Sequence, residues 1–197
     1  MRKVTLERTT NETQVSVSVN LDATGGKLGG KINVSTGVGF FDHMLAALGT
    51  HAGIDLTLST KGDLDVDAHH TVEDTGIVLG QALAKALGDK SGIQRYGFFL
   101  LPMDEALAKA VLDVSGRPYL YYKATFTNER IGEYETCLSE EFFRALCVNA
   151  GFTLHMTTNP GGNDHHKTEA MFKSFGHALR MAVSHREGLL STKGMLQ

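Results

Sequence analysis

With 197 residues, 42 % of them hydrophobic, the chain can bury a proper core as one domain or as two small fused halves. A net charge of −3, a pI of about 6.3 and dispersed basic residues give no reason to expect a nucleic-acid partner. No run approaches the length needed to cross a bilayer, and the N-terminus lacks the apolar core of a signal peptide, so a cytoplasmic protein with no membrane partner is expected.

Lys3–Thr9 and Gln14–Asn20 alternate apolar and polar residues, as half-buried strands do. Thr10-Asn11-Glu12-Thr13 between them makes a hairpin turn, in which Glu12 reads by itself as a solvated turn residue. Residues 22–31 form a glycine-rich loop without phosphate-loop spacing, followed by a short strand at 32–35. Phe40–Ala52 predicts a helix with Phe41, Met44, Leu45 and Leu48 on its apolar side, and Ile54–Ser59 predicts a strand. The acidic loop Gly62–Ala68 then delivers His69-His70-Thr71-Val72-Glu73 to a helix rich in small residues that stops at Gly88.

The second half repeats this order. Leu107–Ser115 and Tyr119–Thr127 are strand candidates joined by Gly116-Arg117-Pro118. Ser139–Ala150 is a helix with Ser139 as its N-cap. Phe152–Thr157 is a strand, and a turn-rich loop leads into His165-His166-Lys167-Thr168-Glu169 and a helix running to about Ser184. The two cysteines, Cys137 and Cys147, make no disulfide framework and read as core or surface thiols.

Ala52-Gly53 aligns with Ala150-Gly151 at an offset of 151 − 53 = 98, and the His-His pairs align at 165 − 69 = 96. At offset 98, His43 lands on Glu141. A period near 97 is too long for a solenoid and points to duplication of a βαβα-type half.

In each His-His-x-x-Glu, the first His and the Glu share a helix face, whereas the second His points about 100° away. Two such units suggest two metals with the paired histidines split between them. One site would take His69, Glu73, His165 and Glu141; the other His70, His166, Glu169 and His43. Mixed His/carboxylate ligation suits Mn, Fe or Zn and leaves positions open for water or substrate. The bland alternative is helix capping, or a structural zinc joining the halves. Arg95, Arg117 and Lys193 read singly as surface cations; beside a metal site they would clamp a phosphate. Asp42, Asp67 and Asp164 are expected either to orient ligands or to cap helices. His155 is expected near the site, and His51, His177 and His185 are expected to be structural or solvated.

Phe41-Asp42-His43-Met44, both His-His-x-x-Glu motifs, Arg8-Thr9-Thr10-Asn11-Glu12-Thr13, Ser115-Gly116-Arg117-Pro118 and Ser191-Thr192-Lys193-Gly194 together resemble the imidazoleglycerol-phosphate dehydratases of histidine biosynthesis. The resemblance covers essentially the whole chain. It implies an α/β (α+β, two-layer) fold: one domain over 1–197 made of halves 1–97 and 98–197, each a small, mostly antiparallel sheet on two helices. It further implies two Mn²⁺ ions per chain and a 24-subunit homo-oligomer with active sites between subunits.

Carried over by position, the resemblance assigns His43, His69, His70, Glu73, Glu141, His165, His166 and Glu169 to the metals. Glu12 becomes the acid/base, and Arg95, Arg117, Ser191 and Lys193 the phosphate contacts. Catalysis would then rest on Glu12, His43, His69, His70, Glu73 and Glu169. The family commonly has His at the position of Glu141, so one site here would be harder and more negative.

The implied reaction suits such a site. The proton removed from imidazole glycerol phosphate has no carbonyl to activate it. A ring held between two metals as imidazolate can push electrons outward to expel the neighbouring hydroxyl; loss of the adjacent proton to Glu12 then gives an enol, which becomes the ketone. The rivals are a dinuclear phosphatase, which would release inorganic phosphate, and a metal-storing protein without turnover. No fused second enzyme is expected, since the chain stops soon after Lys193.

Overall fold

A computed structural model describes residues 2–23, 30–188, 190 and 191. In chain order the elements are β1 (Lys3–Thr9), β2 (Thr13–Asn20), β3 (Ile32–Ser35), α1 (Gly39–Ala52), β4 (Asp55–Gly62), α2 (His69–Leu87), β5 (Tyr96–Met103), β6 (Ala106–Asp113), β7 (Tyr119–Lys123), β8 (Arg130–Ile131), β9 (Tyr134–Glu135), α3 (Leu138–Ala150), β10 (Thr153–Thr158) and α4 (Asp164–Val183). The strands form two four-stranded sheets of identical plan, β1-β2-β4-β3 and β5-β6-β10-β7. In each, the first three strands are antiparallel and the last pair is parallel. The expected α+β duplication is therefore present, and most of the glycine-rich 22–31 stretch lies outside the described residues.

Alternation explains the inner faces. Val15, Val17 and Val19 of β2 and Leu56 and Leu58 of β4 are buried, as are Ala108, Ala110 and Leu112 of β6 and Leu154 and Met156 of β10. Burying such side chains contributes about 1.5–3 kcal/mol each for the Val and Leu residues. α2 covers the first sheet and α4 the second. The helices then pack across the halves, α2 on α3 and α1 on α4.

Glycine makes those two seams close. A Cβ on Gly80 would lie 2.6 Å from the Leu146 carbonyl oxygen, and one on Gly176 would lie 2.7 Å from that of Leu48. These are the same contact repeated, since 80 + 96 = 176 and 48 + 98 = 146. Gly53 and Gly151 end α1 and α3 in the left-handed conformation, with φ of 66° and 69°, which a residue with Cβ adopts only at a cost.

Three local expectations need correction. Tyr96–Met103 is a strand absent from the sequence reading, because its apolar residues point both ways and leave no alternation. The strands flanking Gly116-Arg117-Pro118 are not sheet neighbours: β10 lies between β6 and β7, and β7 stops at Lys123. Ser139 is not an N-cap; α3 starts at Leu138, and the buried Ser139 hydroxyl lies 3.0 Å from the Tyr134 hydroxyl. Among the described residues, no helix is long and apolar enough to cross a membrane.

Candidate metal centre

The duplicated plan brings four helix starts into two pairs, α1 with α4 and α2 with α3. At the first pair, His43 from α1 meets His165 and Glu169 from α4. Glu169 Oε2 lies 3.1 Å from His165 Nε2 and 3.5 Å from His43 Nε2, and ligand atoms of all three residues fall within 4.8 Å of one another. His165 also receives the edge of Phe40, with ring centroids 5.0 Å apart. Burial pushes the Glu169 carboxyl up, but the Lys173 ammonium 2.7 Å from Oε1 and the neighbouring histidines outweigh it and lower the pKa.

The other pair is the repeat of the first. His69 Nε2 stands 3.6 Å from Glu73 Oε2, one helical turn apart on one face. Glu141, the counterpart of His43, instead faces Arg144 Nε at 3.6 Å. Among the described residues this second set does not close into a compact group.

Within one chain the histidines group differently from the expected partition. His165 joins His43 and Glu169 rather than His69, Glu73 and Glu141, because α4 packs on α1 and its i, i+4 face carries both residues toward it. The adjacent histidines do diverge as expected. His70 Nδ1 lies 3.0 Å from Asp63 Oδ2, and its Nε2 lies 3.8 Å from Glu12 Oε1. His166 Nδ1 lies 3.1 Å from Glu105 Oε2 and 3.8 Å from Asp104 Oδ2. Asp63 holds the His70 pKa up, and Glu105 is held at about 2 by the Asn163 N–H first, then by its own N–H and His166.

Glu12 reaches His70 because its hairpin is tied down. Arg8 Nη1 sits 2.6 Å from Asp74 Oδ2 on α2, and the Thr13 hydroxyl donates to the same carboxylate. The three aspartates expected to orient or cap are engaged by hydroxyl, backbone and amide groups, and Asp164 also by the Lys167 ammonium. Asp42 accepts from the Thr36 N–H and hydroxyl, Asp67 from the His69 N–H, and Asp164 from the N–H groups of Thr127 and Asn128 and the Asn128 amide. The carboxylates within hydrogen-bond distance of Nδ1 in the second histidine of each pair are Asp63 and Glu105, to neither of which the sequence reading assigns a role. The available signal was positional, since Asp63 directly follows β4 and Glu105 directly precedes β6. His155 lies on the exposed face of β10, stacked on Tyr121, away from these groups.

Arg95 and Arg117 converge on Asp113. Arg95 makes a two-pronged contact with it (2.7 and 3.1 Å), which raises its pKa, and Arg117 Nη2 approaches at 3.6 Å. Arg95 Nη1 also donates to the Leu190 carbonyl at 2.8 Å, which brings the tail next to Ser191 to this spot; Lys193 lies outside the described residues. This cluster is remote from His43, His165 and Glu169 of its own chain. The Arg95 N–H bonds to Ala182 at the end of α4, and from Glu169 to Ala182 the helix rises roughly 20 Å (13 residues at ~1.5 Å).

Imidazole nitrogens and a carboxylate oxygen converging on one point, with partly exposed ring edges, suit a divalent Mn, Fe or Zn ion with open positions. The comparisons with known proteins agree with the motifs. Residues 36–179 match the family model for imidazoleglycerol-phosphate dehydratase. A protein of that name from Acetivibrio thermocellus is 54 % identical over 198 residues, 99 % of either chain, and one from Exiguobacterium is 51 % identical over 100 % of both. The crystal structure of the Staphylococcus aureus dehydratase has a TM-score of 0.81 at 42 % identity, covering 93 % of this chain and 99 % of that one. The Pyrococcus furiosus structure, in complex with (S)-C348, has a TM-score of 0.82 at 35 % identity, covering 97 % and 100 %. With a family model over most of its length and full-length relatives at about half identity, the chain belongs to the imidazoleglycerol-phosphate dehydratase family.

Proposed function

We propose that this chain dehydrates imidazole glycerol phosphate to imidazole acetol phosphate in histidine biosynthesis, using two Mn²⁺ ions per chain in a cytoplasmic 24-subunit assembly. The observation that carries the metal reading is the closed group His43, His165 and Glu169, whose counterpart set is Glu141, His69 and Glu73. Each set would hold one ion, and His70 and His166 would complete the ligand shells. Ions held there would supply Lewis acidity toward the substrate's imidazole ring.

The chain's own groups supply the rest. Glu12, half-exposed at a hairpin tip and 3.8 Å from His70 Nε2, takes the carbon-bound proton as general base. Arg95 and Arg117 bind the phosphate with bidentate guanidinium contacts, joined by Ser191 and Lys193 of the tail. The roughly 20 Å along α4 between the Arg95 end and Glu169 is too far for one substrate to bridge within a chain. Self-association, which brings the arginines of one copy to the histidines of another, resolves that distance. The side chains of His43, His69 and His165 are 52 %, 44 % and 42 % exposed, as expected for a surface that another copy covers.

The test is Glu12→Gln in the Mn-loaded protein. Dehydratase turnover should fall by about 10²–10⁴-fold, with metal content and assembly retained. Unchanged turnover would remove Glu12 from the chemistry.

A further inference from the structure

In each half, the second histidine of the His-His pair has its Nδ1 taken by a carboxylate: His70 by Asp63 at 3.0 Å and His166 by Glu105 at 3.1 Å. An ionised carboxylate only accepts, so a neutral ring bonded this way carries its proton on Nδ1 and presents a lone pair at Nε2. The two carboxylates come from different places. Asp63 follows β4 and lies across the sheet end from Glu12, whereas Asn159 after β10 lies opposite Leu107 and so matches Lys61 in the sheet register. Glu105 directly precedes β6, as Glu12 directly precedes β2.

The halves therefore reach the same imidazole contact from different positions, and the register-equivalent Glu12 and Glu105 stand differently toward their histidines. In the first, Asp63 occupies His70 Nδ1, and hairpin Glu12 stands near Nε2. In the second, the Asn159 amide donates to the Glu105 carbonyl at 2.9 Å, and its Oδ1 accepts from the Leu107 N–H at 2.7 Å. That pins the hairpin so that Glu105 reaches His166 with one oxygen and the Asn163 N–H with the other.

We infer that Asp63 and Glu105 are positioning residues that fix His70 and His166 as Nδ1–H tautomers with Nε2 turned outward to a metal, and that this task commits Glu105 while its counterpart Glu12 is left for proton transfer. The metal part of this inference rests on the proposed function; the tautomer part does not. A carboxylate behind a ligating imidazole fixes its ring and raises its basicity, and losing it typically weakens metal binding 10–100-fold.

Solid-state NMR of ¹⁵N-histidine-labelled, metal-free full-length protein reads the tautomers directly, and Mn²⁺ titration followed by EPR reads affinity. Wild type should show Nδ1–H signals for His70 and His166. D63A and E105A should each shift the matching ring toward Nε2–H and weaken one of the two Mn²⁺ sites 10–100-fold. D63N and E105Q retain an accepting oxygen and should restore both readouts, a rescue that a bulk structural defect would not give. Nε2–H rings in wild type, or full Mn²⁺ affinity in both alanine variants, would overturn the inference. Wild type that binds no Mn²⁺ but keeps Nδ1–H rings would overturn the metal reading and the metal half of this inference, while upholding the tautomer assignment.

Discussion

The starts of α2 and α4 carry the same five-residue pattern in unlike surroundings. At α4, Lys167 is fully buried and lies 2.6 Å from Asp164, whose carboxylate also gathers the N–H groups of Thr127 and Asn128. Lys167 Nζ donates to the Thr125 carbonyl as well, so residues 125–128 turn away from the sheet to clasp the helix start. At α2 the equivalent residues are Thr71 and Ala68, and the buried Thr71 hydroxyl has no hydrogen-bond partner among the described residues. Glu169 is held by Lys173, where the first half has Ile77 opposite Glu73. One start is therefore clamped by buried ion pairs and closes its ligand group. The other keeps its ligand spacing, lacks the clamp and stands beside Glu12. Duplication preserved the two His-His-x-x-Glu patterns and let their surroundings diverge.

The sharpest way to break this contrast is to remove the clamp. K167M leaves the Asp164 carboxylate without its ammonium and should destabilise the protein by about 3–5 kcal/mol, measured by urea unfolding. K167T with D164A, which copies the first half's pair, should recover much of that loss; no recovery would mean the ion pair is not what distinguishes the two starts. Burial pushes Asp164 up, but Lys167 and the surrounding N–H donors outweigh it and hold it at about 2, below its ordinary 3.8. With the folded pKa depressed, this stabilisation is present above pH 3.8 and lost as pH falls toward 2. In K167M the acid-unfolding midpoint should therefore rise.

A middle-sized effect is expected at the glycine seams. G80A and G176A each force a methyl against a carbonyl oxygen in equivalent contacts. Each should cost about 1–3 kcal/mol in thermal unfolding. Similar values would show that the two seams remain equivalent; tolerance at one would show that they have drifted apart.

The smallest effect separates the same seams by pH. His51 Nδ1 lies 2.9 Å from His177 Nε2 between α1 and α4, where the α2/α3 seam has Gln81 donating to Asn149 at 3.1 Å. Burial lowers both histidine pKa values below 6.5, helped at His51 by His177 and Lys173 against an opposing pull from Glu169, and at His177 by Arg180. His177 also stacks on Phe99. Depressed folded pKa values mean that the neutral pair's contribution is complete above pH 6.5 and is lost as pH falls below it. H51N with H177Q, copying the other seam, should flatten the stability–pH curve below pH 6.5 relative to wild type in the same metal state.

Much of this was legible in the sequence, and the failures have physical causes. Strands of the first sheet were readable because their outer residues, such as Thr5, Ser16, Ser18, Thr57 and Ser59, are polar. The second sheet turns Tyr96, Phe98, Leu100, Val111, Tyr119 and Tyr121 outward, so β5 lost its alternation and went unread. The eight ligand candidates followed from the two motifs and the alignment of the halves. Which of them meet within one chain did not, because which helix packs on which is a long-range fact that two local repeats cannot specify. Asp63 and Glu105 were missed for the same reason: their partners are 7 and 61 residues away, joined only when strand ends meet helix starts.

A metal-dependent carbon–oxygen lyase built on the repeated histidine pairs can be assayed by stripping metal from the full chain, reloading it with Mn²⁺, supplying imidazole glycerol phosphate and following ketone and free phosphate together. Ketone should form only with the metal present, and no phosphate should be released. Release of inorganic phosphate, or no product from protein confirmed to carry two metals per chain, would contradict the lyase reading.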